Sequence, residues 1–170
     1  MPTLFESSHS MTKEFYKEIF SFYHFKRPSK IIQLIVIILF AALMLWLTIL
    51  DSFKSPIFYI ALGLWVFILI LHFFTYFLQV NLTVKRNAEL SKNVPITVTI
   101  AAAENSLKFN TSLGTNVEVD FSAIKKTFQS KNYIVLVSSN NLMYAFRKDN
   151  FTVGNCEDFL KFLRAKGYKI

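Results

Sequence analysis

The chain has 170 residues, of which 53% are hydrophobic, and its 19 Lys and Arg against 11 Asp and Glu give a formal net charge of +8. Because Cys156 is the only cysteine, the sequence excludes an internal disulfide framework and a cysteine-rich metal site. Positive charge is typical of proteins that bind nucleic acids or anionic membranes. No segment interleaves aromatic residues with arginines as single-strand binders do, so we predict no nucleic-acid partner.

Residues 1–30 form a predicted N-terminal segment with one amphipathic helix. Met1–Ser8 is read as a short strand. Ser10 is the expected N-cap of a helix over Met11–Phe25, because serine side chains accept hydrogen bonds from the first turn. The apolar residues of this helix recur at helical spacing: Phe15, Ile19 and Phe22. This apolar face either lies in the lipid headgroup region or packs on the C-terminal domain, and the sequence leaves both alternatives open.

Two long apolar stretches, Ile31–Leu50 and Ile57–Val80, occupy the middle of the chain. Neither contains Asp, Glu, Lys or Arg. At about 1.5 Å per residue, each stretch is long enough as a helix to cross the roughly 30 Å of membrane hydrocarbon. A chain of this length cannot easily bury two helices that are apolar on every face. The link Asp51–Pro56 is short and polar, so residues 31–80 are predicted to form an antiparallel transmembrane hairpin.

Basic residues beside the hairpin predict its orientation. Five of them flank the two spans on the side of the chain ends: Lys26, Arg27, Lys30, Lys85 and Arg86. The link holds Lys54, whose charge Asp51 offsets. Because Lys and Arg near membrane spans stay in the cytoplasm, both termini are predicted to be cytoplasmic and the link to face outward.

Residues 81–170 are predicted to form a β-rich domain, entered through a helical stalk over Asn81–Lys92. Alternating apolar residues and intervening turns indicate six short antiparallel strands, at 94–100, 107–109, 117–121, 124–130, 133–138 and 142–146. Tyr133–Ser138 is a continuous apolar run and is expected to be the most buried strand. The Asn140–Asn141 pair suits a tight hairpin turn, because asparagine tolerates positive φ.

The chain closes with a predicted amphipathic helix that has Asn155 as its N-cap and ends near Gly167. Acidic residues in its first turn and basic residues in its last turn complement the helix dipole. Its apolar stripe consists of Cys156, Phe159, Leu160 and Leu163. The expected fold class is therefore α+β: a two-helix transmembrane hairpin plus a small antiparallel β-roll or barrel, capped by a C-terminal helix.

Several stretches of the sequence carry a family resemblance. They are Thr12–Tyr16, Val119–Ile124, Tyr133–Val137, and Ala145–Phe151 with a helix that begins near Glu157. In this order around a membrane hairpin, they resemble the YcxB-like family of bacterial membrane proteins over nearly the whole chain. The resemblance implies a tail similar to bacterial pleckstrin-homology-like (PH-like) domains in strand number and terminal helix. It implies no catalytic residues, and a fold alone does not give a function.

His72 is the residue within the predicted spans that suggests a site, because an ionisable side chain inside a membrane is a functional-site hypothesis by default. Thr75, one turn away, is expected to bond one ring nitrogen. Gln33 and Gln79 lie at matching depth and are expected to bond each other across the hairpin. Two interpretations stay open: a neutral, locally bonded histidine, or a proton-transfer or haem site. We favour the first and predict no cofactor.

The sequence shows no other candidate for chemistry. No group of His, Cys and carboxylates has metal-ligand spacing, and the four glycines, Gly63, Gly114, Gly154 and Gly167, form no phosphate loop. Cys156 is expected to be a small buried hydrophobic residue.

The predicted function is a non-enzymatic, membrane-tethered binding or scaffold module that presents a basic β-rich domain at the cytoplasmic face of a bacterial inner membrane. The expected partners are the bilayer itself, anionic lipid headgroups, or a cytoplasmic or membrane protein. Self-association into a homo-oligomer stays open. The alternative is a small transport or immunity-type membrane component that acts through the hairpin.

Overall fold

The structure, a computed structural model, describes residues 2–25, 28–50 and 56–170. The described chain contains these elements in order: β1 (Phe5–Ser10), α1 (Lys13–Phe25), α2 (Pro28–Leu50), α3 (Pro56–Leu90), β2 (Thr97–Ala102), β3 (Ser106–Thr111), β4 (Asn116–Asp120), β5 (Ile124–Gln129), β6 (Tyr133–Ser138), β7 (Met143–Arg147), β8 (Phe151–Val153) and α4 (Cys156–Ala165). They divide into a β-unit, Met1–Glu18 with Val84–Ile170, and a helical unit, Ile19–Thr83. Most of the predicted link and two of the flanking cations, Lys26 and Arg27, lie outside the described residues.

Strand β1 lies inside a five-stranded antiparallel sheet of order β4-β3-β2-β1-β8. It pairs with β2 over six residues, from Phe5 opposite Ala102 to Ser10 opposite Thr97, and with β8 on its other edge. Alternate residues of β1 are buried, because successive side chains in a strand point to opposite faces. The division therefore differs from the predicted one. The sequence assigned 1–30 to a separate segment, whereas β2 and β8 hydrogen-bond to β1 and draw it into the β-unit.

The second sheet has the order β5-β6-β7, and its central strand is buried at every position. This confirms the prediction for Tyr133–Ser138. Asn141 in the β6–β7 turn has φ of 60°, as the predicted tight hairpin requires. A hydroxyl joins the two sheets: Ser7 Oγ donates to the Arg147 carbonyl oxygen at 3.1 Å and accepts the Arg147 N–H at 3.0 Å.

Helix α4 closes the core of the β-unit. Its predicted cap is confirmed, because the Asn155 side chain accepts a hydrogen bond from the Asp158 N–H at 2.8 Å. Phe159 and Leu163 are fully buried, and the Phe159 ring centroid lies 4.4 Å from that of Phe146. Burying side chains of this size stabilises a fold by about 1.5–3 kcal/mol each. The other core residues are Phe5, Ile96, Val98, Ile100, Ala102, Leu107, Phe121, Ile124, Ile134, Leu136 and Tyr144.

Three details of the predicted β-unit are wrong. The described chain has eight strands rather than six, because β1 and β8 join the tail. Ser10 does not cap α1: it is the last residue of β1, and the Thr12 hydroxyl oxygen accepts the Phe15 N–H at 3.3 Å instead. The third predicted strand ends at Asp120, whose carboxylate accepts the Ser122 N–H at 2.7 Å and begins a 3₁₀ turn.

The helical unit contains α2 and most of α3. Among the described helices, one stretch, Tyr59–Leu90, is long and apolar enough to cross a membrane, and 6% of its most apolar window is buried. Ile31–Leu47 is apolar but falls short of that length. The stalk expected after the second span is present, because α3 continues to Leu90. It ends there in a turn where the Asn93 N–H donates to the Ala88 carbonyl oxygen at 2.8 Å.

Candidate functional site

The structure places His72 and Thr75 one turn apart on α3. His72 and Val80 are the only buried side chains among those described on this helix. The Thr75 hydroxyl donates to the His72 backbone carbonyl oxygen at 2.9 Å, and not to the imidazole ring as predicted. Bonds of this kind are common for threonine, because its short side chain reaches the carbonyl one turn back. Gln33 and Gln79 are exposed on α2 and α3, and their mutual bond stays a prediction.

A different hydrogen bond joins α2 to α3. The Trp65 indole N–H donates to the Ile37 carbonyl oxygen at 3.0 Å. An indole N–H in apolar surroundings needs such a partner, so this bond favours one rotational setting of the two helices. Beside it lies an apolar cleft of about 450 Å³, lined by Ile38, Ala41, Ala42, Met44, Leu45, Ala61, Leu62 and Trp65.

His9 in β1 is a buried histidine that the sequence analysis missed. Its side chain is 4% exposed, and neither ring nitrogen has a hydrogen-bond partner among the described residues. The imidazole centroid lies 4.9 Å from the Phe15 ring on α1 and 5.3 Å from the Tyr133 ring on β6. Burial, and secondly the positive charge of Arg147, lower the pKa of His9 from 6.5 to about 4. The imidazole is therefore neutral at pH 7.

Polar contacts surround this aromatic cluster and fix the first half of α1. Glu18 accepts hydrogen bonds from the Asn132 backbone and side-chain N–H groups, at 2.7 and 2.8 Å. Asn87 donates its side-chain N–H to the Tyr16 hydroxyl. Phe15 and Tyr16 are both buried. The sequence left two alternatives open for the N-terminal helix. The first half of α1 therefore follows the second one and packs on the C-terminal domain.

Four lysines form a basic surface beside edge strand β5, here called the lysine face: Lys125, Lys126, Lys166 and Lys169. The register of β5 against β6 shifts between Ile124 and Lys126, and both lysines of β5 are exposed. Consecutive residues of a regular strand would point to opposite faces, so this bulge lets both ammonium groups reach solvent.

The C-terminal segment supplies the other half of the lysine face. The Thr127 hydroxyl donates to the Lys169 carbonyl oxygen at 2.7 Å, which holds the segment against β5. The Tyr168 hydroxyl donates to the Phe121 carbonyl oxygen at 2.6 Å. The Lys166 ammonium lies 5.2 Å from the centroid of the Phe121 ring and 5.1 Å from that of Phe162, a cation–π arrangement.

The lysine face carries a net positive charge. The ion pairs of the described residues are Lys85–Glu89, Arg147–Asp149 and Lys161–Asp158, and none includes a lysine of this face. Asp120 is an acidic group that interacts with Lys166. Hydrogen bonds from Ser122 lower the pKa of the Asp120 carboxyl, and the positive charge of Lys166 adds to the effect.

The remaining candidates show no chemistry. Cys156 is half-buried, and burial raises the pKa of its thiol, which leaves it a weak nucleophile at neutral pH. Within the described part of the chain, no group of three His, Cys, Asp or Glu side chains is arranged to hold a metal ion.

Comparisons with protein-family models, with curated proteins and with solved structures find no match to this chain. The resemblance to the YcxB-like family and the PH-like character of the tail therefore stay predictions.

Proposed function

We propose that this chain is a two-pass membrane protein that tethers a basic β-unit at the cytoplasmic face of a bacterial inner membrane, where it serves as a non-enzymatic binding or scaffold module. The observation that carries this proposal is the pairing of β1 with β2. Six residue pairs join two strands that lie on opposite sides of the apolar helices in sequence.

Strand pairing restricts how often the chain crosses a membrane. Because β1 and β2 belong to one sheet, residues 5–10 and 97–102 must lie on the same side of any bilayer. The chain between them therefore crosses an even number of times. If α3 crosses, a second crossing is required, and α2 is the other long apolar helix available in the described chain. The pairing thus supports the hairpin, although only one helix meets the length criterion by itself.

The side chains of α2 and α3 support a lipid environment for both helices. Many large apolar residues on both helices expose more than half of their surface, among them Ile32, Leu39, Trp46, Ile60 and Phe67. Contiguous apolar exposure of this extent is unusual in a soluble protein and marks a membrane or protein interface. The paired indole of Trp65 agrees with this, because unsatisfied N–H groups are costly in hydrocarbon.

Topology assays test the proposal. Reporter fusions at position 53, which lies outside the described residues, should read as extracytoplasmic, and fusions at position 170 as cytoplasmic. In a Cys156→Ser background, Thr3→Cys and Glu104→Cys should both resist a membrane-impermeant maleimide in intact cells and react after lysis. Both positions are exposed, so protection reports the membrane and not the fold. Labelling of either one in intact cells would refute the cytoplasmic placement.

A second candidate function, a small transport or immunity-type component, rests on His72. This side chain is buried although its neighbours on α3 are mostly exposed. Burial of an ionisable residue within an apolar helix suits a proton-transfer role as well as a structural one. Substitutions at His72, given with the predictions below, separate the two.

A further inference from the structure

The four ammonium groups of the lysine face indicate an anionic partner. We infer that Lys125, Lys126, Lys166 and Lys169 bind the anionic phosphate headgroups of the bilayer that holds the protein. This inference rests on the proposed function, because it needs the β-unit to lie on the side of an anionic leaflet.

The lysine face is held in place by several independent contacts. The β5 bulge exposes Lys125 and Lys126, and the Thr127 hydroxyl holds the backbone of Lys169 against the same strand. The Lys166 ammonium lies against two aromatic rings. Because none of its lysines belongs to an ion pair of the described residues, the face has an excess of positive charge that an anionic surface would neutralise. Lysine suits this task, because its compact ammonium group binds phosphate as a point charge without demanding a fixed geometry.

The side chains of this face favour a lipid surface over nucleic acid. The Phe121 ring is 5% exposed and lies under the Lys166 ammonium, so it offers no platform on which a base can stack. The face as defined above consists of lysines, whereas bidentate readout of base edges relies largely on arginine. A single-stranded binder would combine its charge with exposed aromatic rings.

The chain connection favours the bilayer over a soluble acidic protein. From Val80 to Leu90, α3 adds about ten residues, roughly 15 Å of helix, before the chain continues to β2. A short tether raises the effective concentration of the tethered partner to the millimolar range. Weak contacts with single headgroups therefore suffice, whereas a soluble partner would need its own affinity.

The test uses the full chain in nanodiscs of neutral phosphatidylcholine, which leaves the lysine face without anionic lipid. We then measure flotation of these nanodiscs with separate vesicles of phosphatidylcholine, with or without phosphatidylglycerol. Binding should require phosphatidylglycerol and should weaken as salt is added. The test variant is Lys125→Gln/Lys126→Gln/Lys169→Gln. The control, Lys13→Gln/Lys108→Gln/Lys131→Gln, removes the same charge from exposed lysines elsewhere on the β-unit.

We expect the lysine-face variant to bind about 100-fold more weakly, from about fivefold for each lysine near an anionic surface, and the control to change less than about threefold. Circular dichroism of each variant checks that the strands remain. Equal losses in the two variants would overturn the inference, because binding would then follow total charge. It would also be overturned if single-stranded RNA bound more tightly than the vesicles and lost affinity only in the lysine-face variant.

Competition by inorganic phosphate separates a headgroup surface from a pocket for free phosphate. Millimolar phosphate should reduce vesicle binding no more than the same ionic strength of chloride does. A specific reduction would refute the bilayer as the partner. Because flotation is measured with purified protein, its outcome does not depend on the topology assays, so failure of the headgroup inference and failure of the proposed function are distinguishable.

Discussion

Replacing His9 with leucine should make the β-unit resistant to acid. The pKa of His9 falls from 6.5 in the unfolded chain to about 4 in the fold, because the charged imidazole is disfavoured by burial and by Arg147. Between these values the unfolded state binds more protons than the folded state does. The fold is therefore not destabilised by His9 above pH 6.5, where the imidazole is neutral in both states. As the pH falls from 6.5 towards 4, the free energy of unfolding decreases.

The size of this effect follows from the two pKa values. One unit of pKa corresponds to about 1.36 kcal/mol, so a fall from 6.5 to about 4 corresponds to about 3 kcal/mol. Solvent screening reduces this little, because the side chain is 4% exposed. At pH 7 the leucine variant loses ring contacts with Phe15 and Tyr133, worth about 0.5–1.5 kcal/mol each. It also removes buried nitrogens without partners, each costing about 1–3 kcal/mol. We expect a net change within about 1 kcal/mol at neutral pH.

The assay is urea unfolding of the full chain in neutral detergent micelles, followed by pulse proteolysis of the β-unit at several pH values. Between pH 7 and pH 4, the free energy of unfolding should fall in both proteins. It should fall by about 3 kcal/mol more in the wild type than in His9→Leu. The groups that act on the cluster are Arg147 on β7, Glu18 on α1 and Asp149 after β7, and all three remain in the variant. The control is His72→Gln, which changes a histidine outside the β-unit. Its free energy of unfolding should depend on pH as that of the wild type does. If the free energy of unfolding of His9→Leu had the same pH dependence as that of the wild type, the reasoning would be refuted.

Three further substitutions test other parts of the structure. Phe146→Ala should cost about 3–5 kcal/mol in the same assay, because the ring is fully buried, and a change within about 0.5 kcal/mol would mean that the side chain is not in the core. Ser7→Ala should cost about 1–3 kcal/mol, because it leaves the Arg147 N–H without its partner between the sheets, and a neutral result would mean that the hydroxyl does not join them. Given a phenotype for deletion of the gene, His72→Gln and His72→Leu should both retain function at equal membrane abundance. Failure of both would favour titration or ligation at this position, because glutamine does not titrate near neutral pH.

Local patterns predicted much of the β-unit. The run Tyr133–Ser138 is apolar at nearly every position, and a strand of that kind is stable only when both faces are covered. Asn141 and Asn155 were predictable for a similar reason, because each asparagine satisfies a local backbone requirement, positive φ in one case and helix capping in the other. These features depend on neighbouring residues and need no knowledge of distant contacts.

Strand β1 was harder to predict because its partners are distant in sequence. Only Phe5 of its three inward-facing residues is strongly apolar; the other two are Ser7 and His9. Ser7 is tolerated in the interior because both of its hydrogen bonds go to the backbone of Arg147, about 140 residues away. The buried position of His9 depends on α1 and β6 together. A short stretch of sequence does not contain this information. Neither the number of strands in the sheet nor the aromatic cluster around His9 was therefore predictable.

The place of β1 in the sheet also determines how the protein must assemble. Strand β1 is synthesised before its partner β2, which follows only after both apolar helices. Residues 5–10 must therefore wait until residue 102 is available, which gives the sheet a high contact order and a correspondingly slow closing step. A fragment that begins at residue 81 would leave β2 and β8 without the strand that lies between them. The helices are thus an insertion within the β-unit, so a single cut cannot separate the β-unit from the helices without removing an inner strand of its sheet.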